Sequence, residues 1–330
     1  MAPLWWRDST FLENTGKMES VPNVLLRPAE PVRLVLLASA DWTIILGVWI
    51  AAAFAPRWLY PLWALLLAGR LHALGVILHD VVHLPRRART PLVRVIEILS
   101  GYPIGSTVEA MRYHHLRHHR ELGLPGDPYL KSWVGRSSTR FWVMSLRYFF
   151  LAPLWVVRGV YGFVAAYIPS LRNSYGRLFL QDKSGEDLTN SQEVIECARE
   201  DRWQTVFYVC VGLLVAFHPH WMVAYYILPL VIAGYLAGYR LLVEHVQEPN
   251  KDRSPESTIQ STRNHHLGWS GRLFLAPHNV GYHLVHHLHP QAALENLPRL
   301  QEWYEASVKP AAGTLHRALA AERASARYSP

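Results

Sequence analysis

Three apolar stretches limit what this chain can become before any single residue is weighed. Residues 34–54 carry one ionisable side chain, Asp41, and about 21 residues of helix reach roughly 32 Å, the depth of a bilayer's hydrocarbon core. Pro56, Arg57 and Pro61 interrupt the pattern before a second run, residues 58–78, which ends at His79. The third stretch, residues 203–243, is about 41 residues or some 60 Å of helix, with His218-Pro219-His220 near its middle as a point of reversal. These patterns predict an all-α polytopic membrane protein with two transmembrane hairpins, spans lying near 34–54, 58–80, 203–218 and 221–243. The segments 84–202 and 244–330 would form a helical cap, the whole being one domain over 1–330. Arg57 is the one Lys or Arg in the outer turns, whereas the other loops are rich in both, which places the cap and both termini in the cytoplasm.

Two other apolar segments are expected to be interfacial or re-entrant. Residues 92–104 are too few to span, and 141–168 are interrupted by Arg147, Pro153 and Arg158. Asn190 followed by Glu193 predicts a capping box at the start of the helix entering the third stretch. The start of the chain, with Trp5, Trp6 and Arg7, lacks a signal-peptide pattern, so insertion is expected to rely on internal spans.

The net charge is +8, with 33 Lys and Arg against 25 acids. That excess suits anionic lipid head groups or an acidic protein partner. Nucleic acid is not expected, because the basic residues are scattered between apolar spans without a recognisable binding motif. Cys197 and Cys210 form no C-x-x-C pair and suggest neither a disulfide framework nor a thiolate metal site.

Eighteen histidines are unevenly placed. His79 and His83 stand four apart at the cytoplasmic end of the second run, on one helical face where both can grip one metal. His115, His118 and His119 form an H-x-x-H-H pattern, in which members three or four apart share a face and the adjacent pair can bracket two sites. A solvated basic strip would use Lys or Arg equally well. His283, His286 and His287 repeat the same spacing beyond the second hairpin. Together these eight imidazoles are twice what a closed tetrahedral zinc site uses, so two metal ions are the economical reading. Imidazole alone does not choose iron over zinc, copper or nickel. If one centre gathers all three clusters, an even number of crossings separates each pair, and residues 141–168 cannot cross singly.

An H-x-x-x-H box and two H-x-x-H-H boxes around paired membrane hairpins resemble the membrane fatty acid desaturase and hydroxylase superfamily. The resemblance covers residues 72–300. It is most specific at Asn279-Val280-Gly281-Tyr282-His283, His286-His287 and the later Asn296-Leu297-Pro298. It implies a non-haem di-iron centre with O2 as co-substrate, His79, His83, His115, His118, His119, His283, His286 and His287 forming the catalytic site. Glu244-His245 is similar to the place where that family draws an additional ligand, which adds His245 to the metal set. Asp80 would orient His79 or its neighbour, and Asn279 would hold a metal-bound water. His114, His265, His266, His278 and His289 fall outside the repeated spacing. Val285, where many of these enzymes carry Glu, and Leu84, where a small residue is common, are departures that remove no ligand.

The resemblance further implies desaturation of a long-chain acyl substrate bound to lipid, CoA or a carrier. Electrons would come from an external donor such as a ferredoxin or a b-type cytochrome, because no Cys-rich iron-sulfur motif and no fused haem or flavin module is recognisable. A hydroxylase or ketolase of a lipid-like substrate is the nearest alternative. A metal-transporting membrane protein is the alternative of another class, and predicts ionisable residues strung along the spans rather than crowded on one side. A zinc metalloprotease fits less well, since Asp80 stands where H-E-x-x-H requires Glu.

Overall fold

The structure is a computed structural model that describes residues 21–85, 90–135, 137–265 and 268–307; Trp5, Trp6, Arg7 and His266 lie outside them. The described residues are helical throughout and contain no strand, only an isolated antiparallel bridge between His245 and Thr262. Helix α1 (Pro31–Phe54) starts with proline in its first turn, where the missing N–H costs no hydrogen bond. It buries Leu34, Ala38, Asp41, Ile45 and Val48 at helical spacing and turns Leu36, Ile44, Leu46, Ile50 and Phe54 outward. An apolar outer face of that size is what lipid covers.

Helix α2 (Tyr60–Val82) is the central element, buried almost continuously from Leu67 to Val82. A short helix α3 (Pro91–Ile96) runs through a wide turn at 97–101 and a tight one at 102–104, which keeps this apolar segment from spanning. Helix α4 (Val108–Glu121) follows, then α5 (Ser138–Arg147), α6 (Leu151–Tyr167) and α7 (Arg172–Leu178). Helix α8 (Gln192–Phe217) turns at His218 into α9 (Pro219–Met222), which continues through 223–227 into α10 (Leu228–Glu244). The last part carries α11 (Pro255–Ser261), α12 (Trp269–Phe274), α13 (His283–Leu288) and α14 (Leu297–Ser307).

Among the described residues, four helices are long and apolar enough to cross a membrane: Pro31–Phe54, Arg57–Val82, Ser138–Tyr167 and Pro219–Glu244. Ser138–Tyr167 qualifies although Arg158 interrupts it in the sequence. Arg158 is only 1% exposed and sits against Asp201, with Nη2 3.3 Å from Oδ1, and it also donates to Gln204 Oε1 at 2.6 Å. An arginine paired inside the protein needs no water, so it does not end the apolar helix. The stretch expected as a span over 203–218 is instead the second half of α8, whose first half is polar. That apolar half, about 15 residues or some 22 Å, exposes Trp203, Val206, Val209, Leu213 and Phe217.

The expected capping box at Asn190 does not form. The cap position of α8 is Ser191, which makes no side-chain cap bond, and Glu193 instead accepts from Arg117 Nη2 at 2.7 Å. An ion pair to α4 has taken the side chain that a local cap would need.

Three apolar clusters position the histidine-bearing segments. One wraps α2 with faces of α1 and α10. A second joins Val280, Leu284 and Val285 to Leu297, Leu300 and Tyr304, seating α13 against α14; Val285 is spent on this packing. A third holds Ala110 and Tyr113 of α4 against Ala165, Tyr175, Cys197 and Ala198.

Candidate metal centre

The end of α2 presents His79 and His83 one turn apart before the helix stops at the His83-Leu84-Pro85 turn. Helix α4 is capped by Thr107, whose hydroxyl accepts from Ala110 N at 3.3 Å, and Thr107 is itself tied to Asp201 at 3.2 Å. These ties set the rotation of α4 and so the direction of its imidazoles. His278 (φ 53°) and Asn279 (φ 66°) turn the backbone left-handed just before α13. His265 N donates to Gly281 O at 2.7 Å, a close approach that a side chain at 281 would obstruct.

Nine imidazoles meet there in two adjoining groups. His79, His83, His115, His119 and His286 form one, and His118, His245, His283 and His287 the other. Each H-x-x-H-H box is divided two and one: His115 and His119 face the first group and His118 the second, while His283 and His287 face the second and His286 the first. Members four apart share a face, and the remaining one projects about 100° away, so a single helical turn serves two centres.

The spacing of the nitrogens tests whether a metal fits. His83 and His115 have Nε2 atoms 3.0 Å apart, His115 and His119 2.9 Å, and His119 and His286 3.2 Å. Ligands at about 2.1 Å from one ion and roughly at right angles lie about 3.0 Å apart. In the second group, His245, His283 and His287 form a closed triangle with Nε2 separations of 3.0, 3.0 and 3.2 Å. A neutral imidazole nitrogen either donates or accepts, so hydrogen bonds cannot alternate around a ring of three. One central cation satisfies all three lone pairs, and the donor set therefore fits a metal.

Burial, reinforced for most of them by neighbouring imidazoles, holds His115, His119, His283, His286 and His287 well below the ordinary histidine range. Burial likewise pulls His245 down to about 3. Neutral imidazole is the form that ligates a metal.

In the second group, two of the four ligands have partners behind them. His118 Nδ1 is 2.8 Å from Asp127 Oδ1, and Asp127 accepts in turn from the backbone N–H of Gly123 and Tyr129 at 2.9 and 2.8 Å. His245 Nδ1 donates to Leu241 O at 2.9 Å. Glu244 Oε2 lies 3.6 Å from His283 Nδ1, too long for a hydrogen bond. In the first group, Nδ1 of His79, His83, His119 and His286 has no hydrogen-bond partner. Asp127 was missed in the sequence. Its signal is an acid between Gly126 and Pro128, in a tight turn nine residues after His118, with Gly123 at φ 68°.

A family model for fatty acid desaturases matches residues 55–318, four-fifths of the chain and all nine imidazoles. The chain belongs to the fatty acid desaturase family. A curated relative, dihydrorhizobitoxine desaturase of Bradyrhizobium elkanii, is 26% identical over 274 residues, covering 80% of this chain and 73% of the relative. Membership of the desaturase family, with four apolar helices, makes this a membrane protein with a desaturase-like oxidoreductase activity.

Two expected site residues of this desaturase-family chain are placed elsewhere. Asp80 bonds to the backbone of Leu294 rather than to an imidazole, because it projects about 100° round α2 from His79 and fastens the segment before α14. Asn279 supplies a left-handed backbone position, which Asn tolerates, and no described hydrogen bond carries its side chain to the histidines. The histidines outside the boxes also have other partners. His114 Nδ1 pairs with Tyr129 Oη at 2.6 Å, His278 with Asp41 at 2.8 Å and His289 with Tyr304 at 2.6 Å.

A cavity of about 130 Å³ opens on both groups at His79, His115, His118, His245 and His283. Leu71, Ile104, Met111, Trp155 and Leu230 line its apolar part, and Lys131, Gln181 and Arg240 its polar part. Burial and the neighbouring Lys183 lower Lys131 to about 8.

Proposed function

We propose that this chain desaturates an acyl chain at a di-iron centre held by the nine imidazoles, consuming O2 and electrons from a separate donor. Written in balance, R–CH2–CH2–R′, O2, two electrons and two protons give R–CH=CH–R′ and two waters. The observation that carries the reading is the pair of imidazole groups sharing a wall with an apolar cavity. Unactivated C–H bonds resist acid and base chemistry, and two bound irons would supply the O2-dependent oxidation they require.

The tasks of the chain's own residues follow from where they lie. Leu71, Ile104, Met111 and Trp155 hold the substrate's methylenes and exclude water. Asp127 orients His118, and the Leu241 carbonyl orients His245, keeping each Nε2 free of a proton and facing inward. The Bradyrhizobium elkanii relative is named for a desaturation, which favours alkene formation over hydroxylation.

The site is read as cytoplasmic, with an external donor, such as a ferredoxin or a b-type cytochrome, docking on the basic cap. In this reading the apolar half of α8 pairs with α9 and α10 as the second hairpin. Helix α6 stays at the membrane surface, because Arg158 meets α8 at Asp201, before the apolar half begins.

Expression with a reductase system and mass spectrometry of the lipids tests the proposal. Loss of two hydrogens from an acyl chain is expected. Gain of one oxygen would reassign the chain to hydroxylation, and no change with acyl chains supplied and electrons flowing would end the acyl reading.

A further inference from the structure

Arg240 lies one turn before Glu244 on α10 and lines the cavity beside the imidazoles. Its Nε and Nη1 are buried and neither has a hydrogen-bond partner. Its ion-pair partner is Glu244, whose Oε2 is 3.5 Å from Nε without forming a hydrogen bond, and whose Oε1 is also unpartnered. A guanidinium carries five N–H donors in a planar fork, so one carboxylate at that distance leaves most of them unanswered. Charges kept in an apolar, membrane-level helix face a pathway or a ligand.

Of the other polar groups lining the cavity, His72 Nε2 and Tyr148 Oη also lack a partner, whereas Lys131 and Tyr129 are occupied. Lys131 Nζ donates to Pro128 O at 2.8 Å and lies 3.4 Å from Gln181 Oε1, while Tyr129 is paired with His114. Gln181 holds φ 56°, a left-handed backbone uncommon outside glycine, at the cavity wall. Arg240 is thus the cation with donors to spare.

We propose that Arg240 binds a carboxylate of the substrate inside this cavity, so that the oxidised C–H bonds lie close to that carboxylate rather than in the middle of a chain whose head group stays at the membrane surface. The proposal rests on the desaturase reading above and names its substrate class. Arg240 stands four residues before the end of α10 at Glu244, about 6 Å of rise, with His245 next in extended backbone, a span that about five or six bonds of extended chain cover at roughly 1.2 Å per bond. A carboxylate matches the planar fork of Arg240, and the neighbouring Glu244 disfavours a more highly charged group.

Equilibrium dialysis of the iron-loaded protein against radiolabelled octanoate and methyl octanoate tests this, with inorganic phosphate as competitor. Octanoate is expected to bind more tightly than its ester. Arg240→Gln should weaken octanoate at least tenfold and leave the ester unchanged. Arg240→Lys, which keeps the charge without the fork, should lose part of that affinity. If Arg240→Gln fails to retain iron, Arg240→Lys carries the test, and an unchanged octanoate affinity there overturns the proposal. Equal binding of acid and ester, or displacement of octanoate by an equal concentration of phosphate, also overturns it. Unchanged octanoate affinity in an iron-loaded Arg240→Gln that still desaturates a neutral-headed lipid would reject the carboxylate site and keep the desaturase reading. Arg240-dependent octanoate binding by a protein that forms no alkene from any acyl substrate would do the reverse.

Discussion

The group of five imidazoles and the group of four sit side by side but are held in different ways. In the first, four ligands come from the ends of α2 and α4 as pairs one turn apart, and His286 completes the set. Four of its five Nδ1 atoms have no hydrogen-bond partner, so helix packing alone aims those rings. In the second, His118 leans on Asp127 and His245 on the Leu241 carbonyl, and His245 itself stands just past the end of α10 in extended backbone. His245, where the chain leaves the helix, is aimed by a hydrogen bond, and His118 carries one although it lies within α4.

Removing a ligand should break the comparison most completely. His83→Ala and His287→Ala are both expected to reduce alkene formation to background, with metal analysis showing one of the two irons lost in each case. Retention of both irons in either variant would contradict the ligand set. Asp127→Asn sharpens the contrast: iron in the group of four should weaken by about 10–100-fold, seen as faster release to a chelator, while the group of five holds its metal. Equal weakening of both would mean that the two groups do not differ in this way.

Asp201→Ala should affect both groups together, because Asp201 pairs with Arg158 and also holds the Thr107 cap of α4, which supplies ligands to each. Breaking one partner of a buried pair costs about 3–5 kcal/mol, measurable as a lower midpoint of thermal unfolding with no selectivity between irons. The smallest effect is expected for Asp80→Ala, which loses a bond to the Leu294 backbone worth about 1 kcal/mol. Iron content should stay normal, and a selective loss from His79 would restore Asp80 to the role that its place in the sequence suggested.

The same contrast separates what could be read residue by residue from what could not. His79 with His83, and His283 with His287, share faces because a helix turns about 100° per residue, a local rule visible in the spacing. The apolar runs of α1, α2 and α10 were legible for a similar reason, since length and composition decide whether a helix suits a bilayer. Arg158 reads in the sequence as an interruption, yet the helix runs through it, because its partner Asp201 is 43 residues away and a lone arginine in the sequence carries no sign of being paired. The contact of Asp127 with His118 and the spare donors of Arg240 were likewise decided by packing.

Local spacing thus determined that this chain builds helical membrane segments and presents imidazoles in sets that can bracket two metals. Tertiary structure decided which imidazole joins which group, what stands behind several of the rings, and that a guanidinium with unbonded donors shares their cavity. Those outcomes depend on contacts between segments tens to hundreds of residues apart, such as His118 against His245 or Asp41 against His278. Such contacts arise from the packing of α2, α4, α10 and α13 against one another, and no short window of sequence encodes them.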